Sequence, residues 1–256
     1  MTSRRSWLDR LLALASPRVV ADHAPPIREH APGVWTVERR LKMPGGPSLP
    51  ANATVFRLES GGLVLIAPPA MSESAGIEAL GPVDSVVVPN SFHHLFVPEC
   101  MARHPGARLI GPPGLADRVA GLPPLEEFEA GTKGPWPGEI EFAVLGPVRQ
   151  VCEIALFHLR SRTLVLTDVA FNLRKIERPL DRVFWRLVGV GSSFGPTLDS
   201  RMLLLRDKAT ASRFIGEVAR WPMERIIVAH GDVLEENAKA EFLRAFRAYL
   251  PEQDVA

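Results

Sequence analysis

Apolar positions along the chain gather into short β-branched runs and a few helical stripes. Val34 to Val37 opens a strand pattern, and residues 39–50 then read as a loop by their Gly and Pro content. Ala51 to Leu58 and Leu63 to Ala67 read as two strands joined by a Ser60-Gly61-Gly62 turn. Val83 to Val88 is a largely apolar, β-branched run, as expected of a buried strand. Ala107 to Ile110, Ile140 to Leu145, Val151 to Leu159, Thr163 to Thr167 and Arg225 to Ala229 read as further strands.

Helical spacing appears elsewhere. Ser72 is a good N-cap for a short helix ending near Gly81. Further helices are expected over Leu95 to Arg103, Leu115 to Val119 and Lys208 to Trp221. Leu234 to Leu250 gives the clearest case, with Phe242, Phe246, Tyr249 and Leu250 spaced i, i+4, i+7 and i+8. Residues 121–138 read as a Pro/Gly loop, and residues 171–200 as irregular apart from a helical pattern in Leu180, Val183, Phe184, Leu187 and Val188.

At the N-terminus, Trp7, Leu8, Leu11, Leu12 and Leu14 fall on or near one face of an amphipathic helix, followed by a Pro-rich linker to residue 32. Residues 33–250 then form a single domain. Ser3-Arg4-Arg5-Ser6-Trp7-Leu8 is similar to a twin-arginine export signal, but Asp9, Arg10 and Arg18 interrupt the apolar stretch that such a signal needs. The helix is expected to pack on the body of the protein, with docking on a membrane surface as the other use of the same face.

Composition narrows the function classes. Thirty Lys+Arg against 29 Asp+Glu give a net charge of +1, so no bulk positive field favours nucleic acid. No apolar stretch approaches the roughly 18 residues that span a bilayer. Two cysteines, Cys100 and Cys152, make no disulfide framework, which fits a cytoplasmic protein.

Ligand-type residues recur just after predicted strands. His93 and His94 follow Val83 to Val88, Asp168 follows Thr163 to Thr167, and His230 follows Arg225 to Ala229. Functional groups gather at the carboxyl ends of strands in layered α/β proteins. Three imidazoles and a carboxylate make an N/O donor set suited to one divalent ion, zinc first, with iron or manganese as alternatives. Glu153 and His158 lie on one strand with opposite parity, so a regular strand turns only one of them to the site. Glu153 is the better candidate for a further ligand or base, against a reading in which loop amides satisfy it. Asn172 could orient Asp168, and Asp232 could orient His230, through hydrogen bonds.

These segments resemble the metallo-β-lactamase fold. The resemblance rests on Val83-Asp84-Ser85-Val86-Val87-Val88-Pro89 with His93-His94, on Thr163-Leu164-Val165-Leu166-Thr167-Asp168, and on Ile226-Ile227-Val228-Ala229-His230-Gly231. The run Asn52 to Leu58 with Gly61 to Ile66 is similar to the opening strands of that fold, and the likeness covers roughly residues 33–250. It implies an α/β architecture: an αββα sandwich of two mixed sheets flanked by helices, in a branch known only as a domain of unknown function.

The resemblance also has departures. The superfamily's first metal loop reads His-x-His-x-Asp-His. With its last His on His94, its Asp falls on His93 and its first two His fall on Pro89 and Ser91. Its middle His falls near Arg149. One of the two usual metal positions is thereby lost. The other would keep His94, Asp168 and His230, with His93 in place of Asp, implying one metal ion or none. A mononuclear metal-dependent hydrolase follows, with Asp168 and His94 catalytic and an ester, lactone, amide or phosphoester as substrate. The competing reading is a metal-free pseudoenzyme that binds a small molecule or protein. Arg174, Lys175, Arg178, Arg182 and Arg186 outnumber Glu177 and Asp181 after Asp168, which reads either as the solvated face of an amphipathic helix, the more common outcome, or as a basic lid that would favour an anionic small-molecule substrate.

Overall fold

The computed structural model describes residues 18–19, 27–43, 46–70, 76–119, 121–132, 134–148, 151–174, 176, 178–187, 189 and 193–250. The N-terminal helix, most of the Ser72 segment, Arg149, Lys175 and Glu177 lie outside the described residues.

The first sheet has eight strands. In chain order they are β1 (Arg18–Val19), β2 (Ile27–Ala31), β3 (Val34–Lys42), β4 (Ser48–Arg57), β5 (Leu63–Ile66), β6 (Val83–Val87), β7 (Arg108–Gly111) and β8 (Leu125–Glu127). Strands β3, β4 and β5 form an antiparallel meander, while β5 to β8 run parallel. Both β1 and β2 pair with β3, so segments before residue 33 belong to this sheet. Helices α1 (Val97–Arg103) and α2 (Leu115–Arg118) lie in the crossovers from β6 to β7 and from β7 to β8.

The second sheet has four strands: β9 (Ile140–Val148), β10 (Val151–His158), β11 (Thr163–Leu166) and β12 (Arg225–Val228), in the order β12-β11-β10-β9. Between β11 and β12 come α3 (Pro179–Leu187), α4 (Leu198–Leu203) and α5 (Lys208–Val218), and α6 (Ala238–Phe246) follows β12. Several boundaries differ from the pattern reading. The meander hairpin is tighter, because β3 runs on to Lys42 and β4 starts at Ser48. Residues 125–127, read as loop, add an edge strand to β7. The final helix begins at Ala238 rather than Leu234, because Leu234 bonds back to Ile226 and Asn237 takes φ 54°.

Strand alternation explains the layers. Val64, Ile66, Val87 and Ile110 of the first sheet meet Ile154, Leu156, Val165 and Ile227 of the second in one buried cluster between the sheets. Their sequence neighbours point the other way. Leu65, Val86 and Val88 pack under Val97, Cys100 and Met101 of α1. Leu164, Leu166 and Val228 pack under Phe214, Ile215 and Val218 of α5 and Phe242 and Phe246 of α6. The result is the expected αββα sandwich of two mixed sheets. Among the described residues no helix is long and apolar enough to cross a membrane.

Candidate metal centre

The carboxyl ends of β6, β11 and β12 meet at one edge of the sandwich. Three side chains converge there: His93, Asp168 and His230, whose ligand atoms all lie within 4.8 Å of one another. His93 Nε2 is 3.3 Å from Asp168 Oδ2, and His230 Nε2 is 3.3 Å from Asp168 Oδ1. The two rings sit 5.4 Å apart, centroid to centroid.

Each of the three is held by the chain around it. The Pro50 carbonyl lies 3.1 Å from His230 Nδ1. A carbonyl oxygen only accepts, so Nδ1 carries the proton and, in the neutral ring, Nε2 carries a lone pair. Phe171 stacks on the same ring at 4.8 Å. The loop after β12 is pinned by Asn52, whose Nδ2 donates to the Val228 carbonyl at 2.9 Å and the Gly231 carbonyl at 2.8 Å.

Asn90 links the other two. Its Oδ1 accepts from the amides of Phe92 at 2.8 Å and His93 at 3.1 Å, an Asx turn that shapes the His93 loop. Its Nδ2 lies 2.7 Å from Asp168 Oδ2 and 2.8 Å from Glu153 Oε2. Glu153 in turn accepts from the Thr167 amide at 2.7 Å and the Asp168 amide at 3.3 Å, fixing the turn that presents Asp168. Ser200 Oγ donates to the Asp168 carbonyl at 2.5 Å. Burial works to raise the Asp168 carboxyl, but the charge and hydrogen bonds of His93 and His230 outweigh it and hold the group well below the usual carboxylate range. Burial, aided by the Asp168 charge, pushes Glu153 up against the pull of its hydrogen-bond donors.

The donor set fits a divalent ion. Zinc bonds of about 2.0–2.2 Å at tetrahedral angles put neighbouring donors about 3.4 Å apart, close to the N–O spacings found here. With the His230 ring neutral, its Nε2 lone pair would face Asp168 Oδ1 over 3.3 Å, a repulsion that a cation or a proton between them relieves.

The other candidates fall elsewhere. His94 is not in the cluster: its Nδ1 bonds to the Ser91 carbonyl at 2.7 Å, although the ring lines the adjoining cavity. Glu153 is turned to the site but spent on Asn90 and backbone amides, a positioning role rather than a ligand's. Asn172 does not orient Asp168: its Nδ2 donates to the Asp232 carbonyl at 2.7 Å and its Oδ1 accepts from Arg174 Nε at 3.0 Å. His158 is at the far end of β10, stacked on Phe56 at 4.9 Å. The Asn90 and Asn52 contacts escaped the sequence reading. Asn52 sits within the Ala51 to Leu58 strand pattern and Asn90 just after the Val83 to Val88 run, but nothing in those patterns marks an amide that bridges two sheets.

A cavity of about 410 Å³ opens beside the cluster. Its walls are mostly apolar, with Leu41, Leu49, Phe96, Trp185 and Leu203 among them, and Arg39 is the guanidinium in its lining. None of Arg174, Arg178, Arg182 and Arg186 lines it, so a basic lid does not face it among the described residues.

A four-layer sandwich with His and Asp donors at the strand ends defines a protein of the metallo-β-lactamase fold. The chain belongs to the family described as Domain of unknown function (DUF4336), whose model matches residues 32–183. Solved structures support the fold. A metallo-β-lactamase from Pontibacter korlensis aligns with TM-score 0.61 at 14% identity, over 87% of this chain and 98% of that one. The metal-soaked Flv1 flavodiiron core from Synechocystis aligns with TM-score 0.61 at 12% identity, over 91% of this chain and 61% of that one. The metallo-β-lactamase from Hirschia baltica gives TM-score 0.60 at 12% identity, over 89% and 99%. No curated protein sequence matches the chain.

Proposed function

We propose that this protein is a mononuclear metal-dependent hydrolase acting on an ester, lactone, amide or phosphoester. The carrying observation is the convergence of His93, Asp168 and His230 at the floor of a cavity, with the Pro50 carbonyl fixing the tautomer that turns a His230 lone pair inward. Those three residues would hold the ion, zinc by preference over iron or manganese. A divalent cation in such a set brings the pKa of a water down to about 7 and polarises a carbonyl or phosphoryl oxygen.

The chain's own residues supply the rest. Asn90 and Glu153 keep Asp168 in place, and Asp168 supplies the negative charge that retains a cation. His94 Nδ1–H donates a hydrogen bond to the Ser91 carbonyl, which leaves Nε2 as the acceptor nitrogen of a neutral ring in the cavity wall. It is therefore the side chain suited to take a proton from water. The apolar walls exclude competing water around the scissile bond. Likeness in fold to a metallo-β-lactamase and to a metal-soaked flavodiiron core supports this reading.

Elemental analysis of protein purified without added metal tests it. One ion per chain, lost in Asp168→Asn, is expected, together with hydrolysis of a chromogenic ester, lactone or phosphodiester. A chain with no stoichiometric metal and no thermal shift on adding Zn²⁺, Fe²⁺ or Mn²⁺ ends the proposal. That outcome would favour the metal-free binding module, for which the apolar cavity is the supporting feature.

A further inference from the structure

The large hydrophobic residues that are exposed among the described residues all come from three neighbouring segments: Leu95; Leu180, Val183, Phe184 and Leu187 of α3; and Leu198, Met202 and Leu203 of α4. On α3 the four recur at i, i+3, i+4 and i+7, so they share one side of the helix. That side faces away from the protein, with Leu180 79% and Leu187 80% exposed, while Asp181 and Trp185 are buried on another face. A Cβ on Gly189 would come 2.8 Å from the Leu198 Cβ, so the chain leaving α3 lies against the start of α4. Leu95 and Leu203 also line the cavity beside the metal centre, so the apolar surface runs to its mouth.

Charge beside this surface indicates its occupant. Arg182 and Arg186 lie on α3 with Arg178 just before its first residue, spaced i, i+4 and i+8, and Arg201 lies on α4; all four are exposed. None is in an ion pair among the described residues. The α3 acid, Asp181, is turned inward and accepts from the Ser48 amide at 3.2 Å. Asp199 is the exposed acid of α4. An apolar stripe flanked by a row of arginines is the pattern of a helix lying in the headgroup region of an anionic bilayer. Apolar side chains enter the acyl boundary there, and guanidinium groups meet phosphates. A second protein surface would have to bring a matching row of acids.

We propose that the exposed face of α3 and α4 docks on an anionic phospholipid surface, setting the cavity mouth against the lipid. In that pose Leu95 and Leu203 lead from the lipid into an apolar chamber, so the hydrocarbon part of an amphiphile enters without crossing water. The docking does not depend on the hydrolytic reading.

Co-sedimentation of the full chain with vesicles tests it, using phosphatidylcholine alone and phosphatidylcholine mixed with phosphatidylglycerol. Binding to the mixed vesicles, weakened by salt, is expected. Leu180→Ser with Leu187→Ser should lower the partition coefficient about tenfold or more, since both side chains leave the acyl boundary. Arg186→Gln with Arg201→Gln should lower it severalfold on mixed vesicles only. These positions are exposed, so an unchanged thermal melt will show that both variants fold. Asp168→Asn should bind vesicles as the wild type does, which separates this test from that of the metal. Failure to bind mixed vesicles, or equal binding by the Leu180/Leu187 variant, overturns the proposal. So does a dimer in light scattering that this variant converts to a monomer, because the face would then be covered by a second copy.

Discussion

The Asn90 side-chain amide lies 2.7 Å from Asp168 Oδ2 and so ties a loop of the eight-stranded sheet to a loop of the four-stranded one. The same side chain orders the His93 backbone from its other end. Asn90→Ala therefore leaves Glu153 and Asp168 short of a donor in a buried place. We expect a loss of about 2–3 kcal/mol in denaturant unfolding. Metal affinity should fall by about 10–100-fold, as for other residues that orient a ligand. Isothermal titration with Zn²⁺ measures the second effect, and unchanged affinity would remove Asn90 from the site.

Gly231 has φ 117°, and a Cβ there would sit 2.2 Å from the Asn172 carbonyl oxygen. That contact is with backbone, so no rotamer relieves it. Gly231→Ala must displace the loop that carries His230. A destabilisation of about 2–4 kcal/mol is expected, with loss of bound metal. A variant with a wild-type melting temperature and full metal content would show that the loop has room to move.

His158 gives the protein a pH-dependent stability. Burial, helped by the Arg160 charge, lowers its pKa from the ordinary 6.5. The unfolded chain thus binds a proton more readily than the native one. Stability contributed by the neutral ring is fully present above about pH 6.5 and is lost as pH falls below that value towards the lowered native pKa. Thermal melts between pH 7.5 and 5 should show a decline that is shallower in His158→Gln. Parallel curves for the two proteins would place the responsible group elsewhere.

Metal binding should raise stability by mass action. At a free ion concentration of about 100 times Kd the gain is about 2.7 kcal/mol. Adding and then chelating Zn²⁺ should move the melting temperature up and back in the wild type. Asp168→Asn should show no such movement.

Cys100 is fully buried on the inner face of α1, and burial pushes its thiol up to about 12. Cys152 is buried as well. Neither should react with a thiol-specific chromogenic reagent in the native state, and both should react on unfolding. Fast labelling of the native protein would mean that the sandwich opens near α1.

Strand and helix identity was largely legible in the chain because burial on alternate faces leaves a periodic trace. Val86, Val88, Leu164 and Leu166 had to be apolar to lie under helices, and Val87 and Val165 to lie between sheets. Less visible were segments whose pairing owes little to side-chain pattern. Residues 125–127 join β7 through backbone hydrogen bonds, and the hairpin ends at 39–42 and 48–50 pair in spite of Pro50 and the charges of Arg39 and Arg40.

By itself the sequence determined the layered scaffold and the strand ends at which donors appear, since both follow from local periodicity and chain order. Tertiary structure decided which donors share a site. His93 and His94 are chemically identical neighbours, yet Asn90 turns one to Asp168 while the Ser91 carbonyl holds the other. It also decided that α3 presents Leu180 and Leu187 outward, since a helical stripe states that a face is apolar but not what it meets. The physical reason is the same in both cases: spacing specifies direction about an element, and only the packing of elements distant in the chain specifies what lies there.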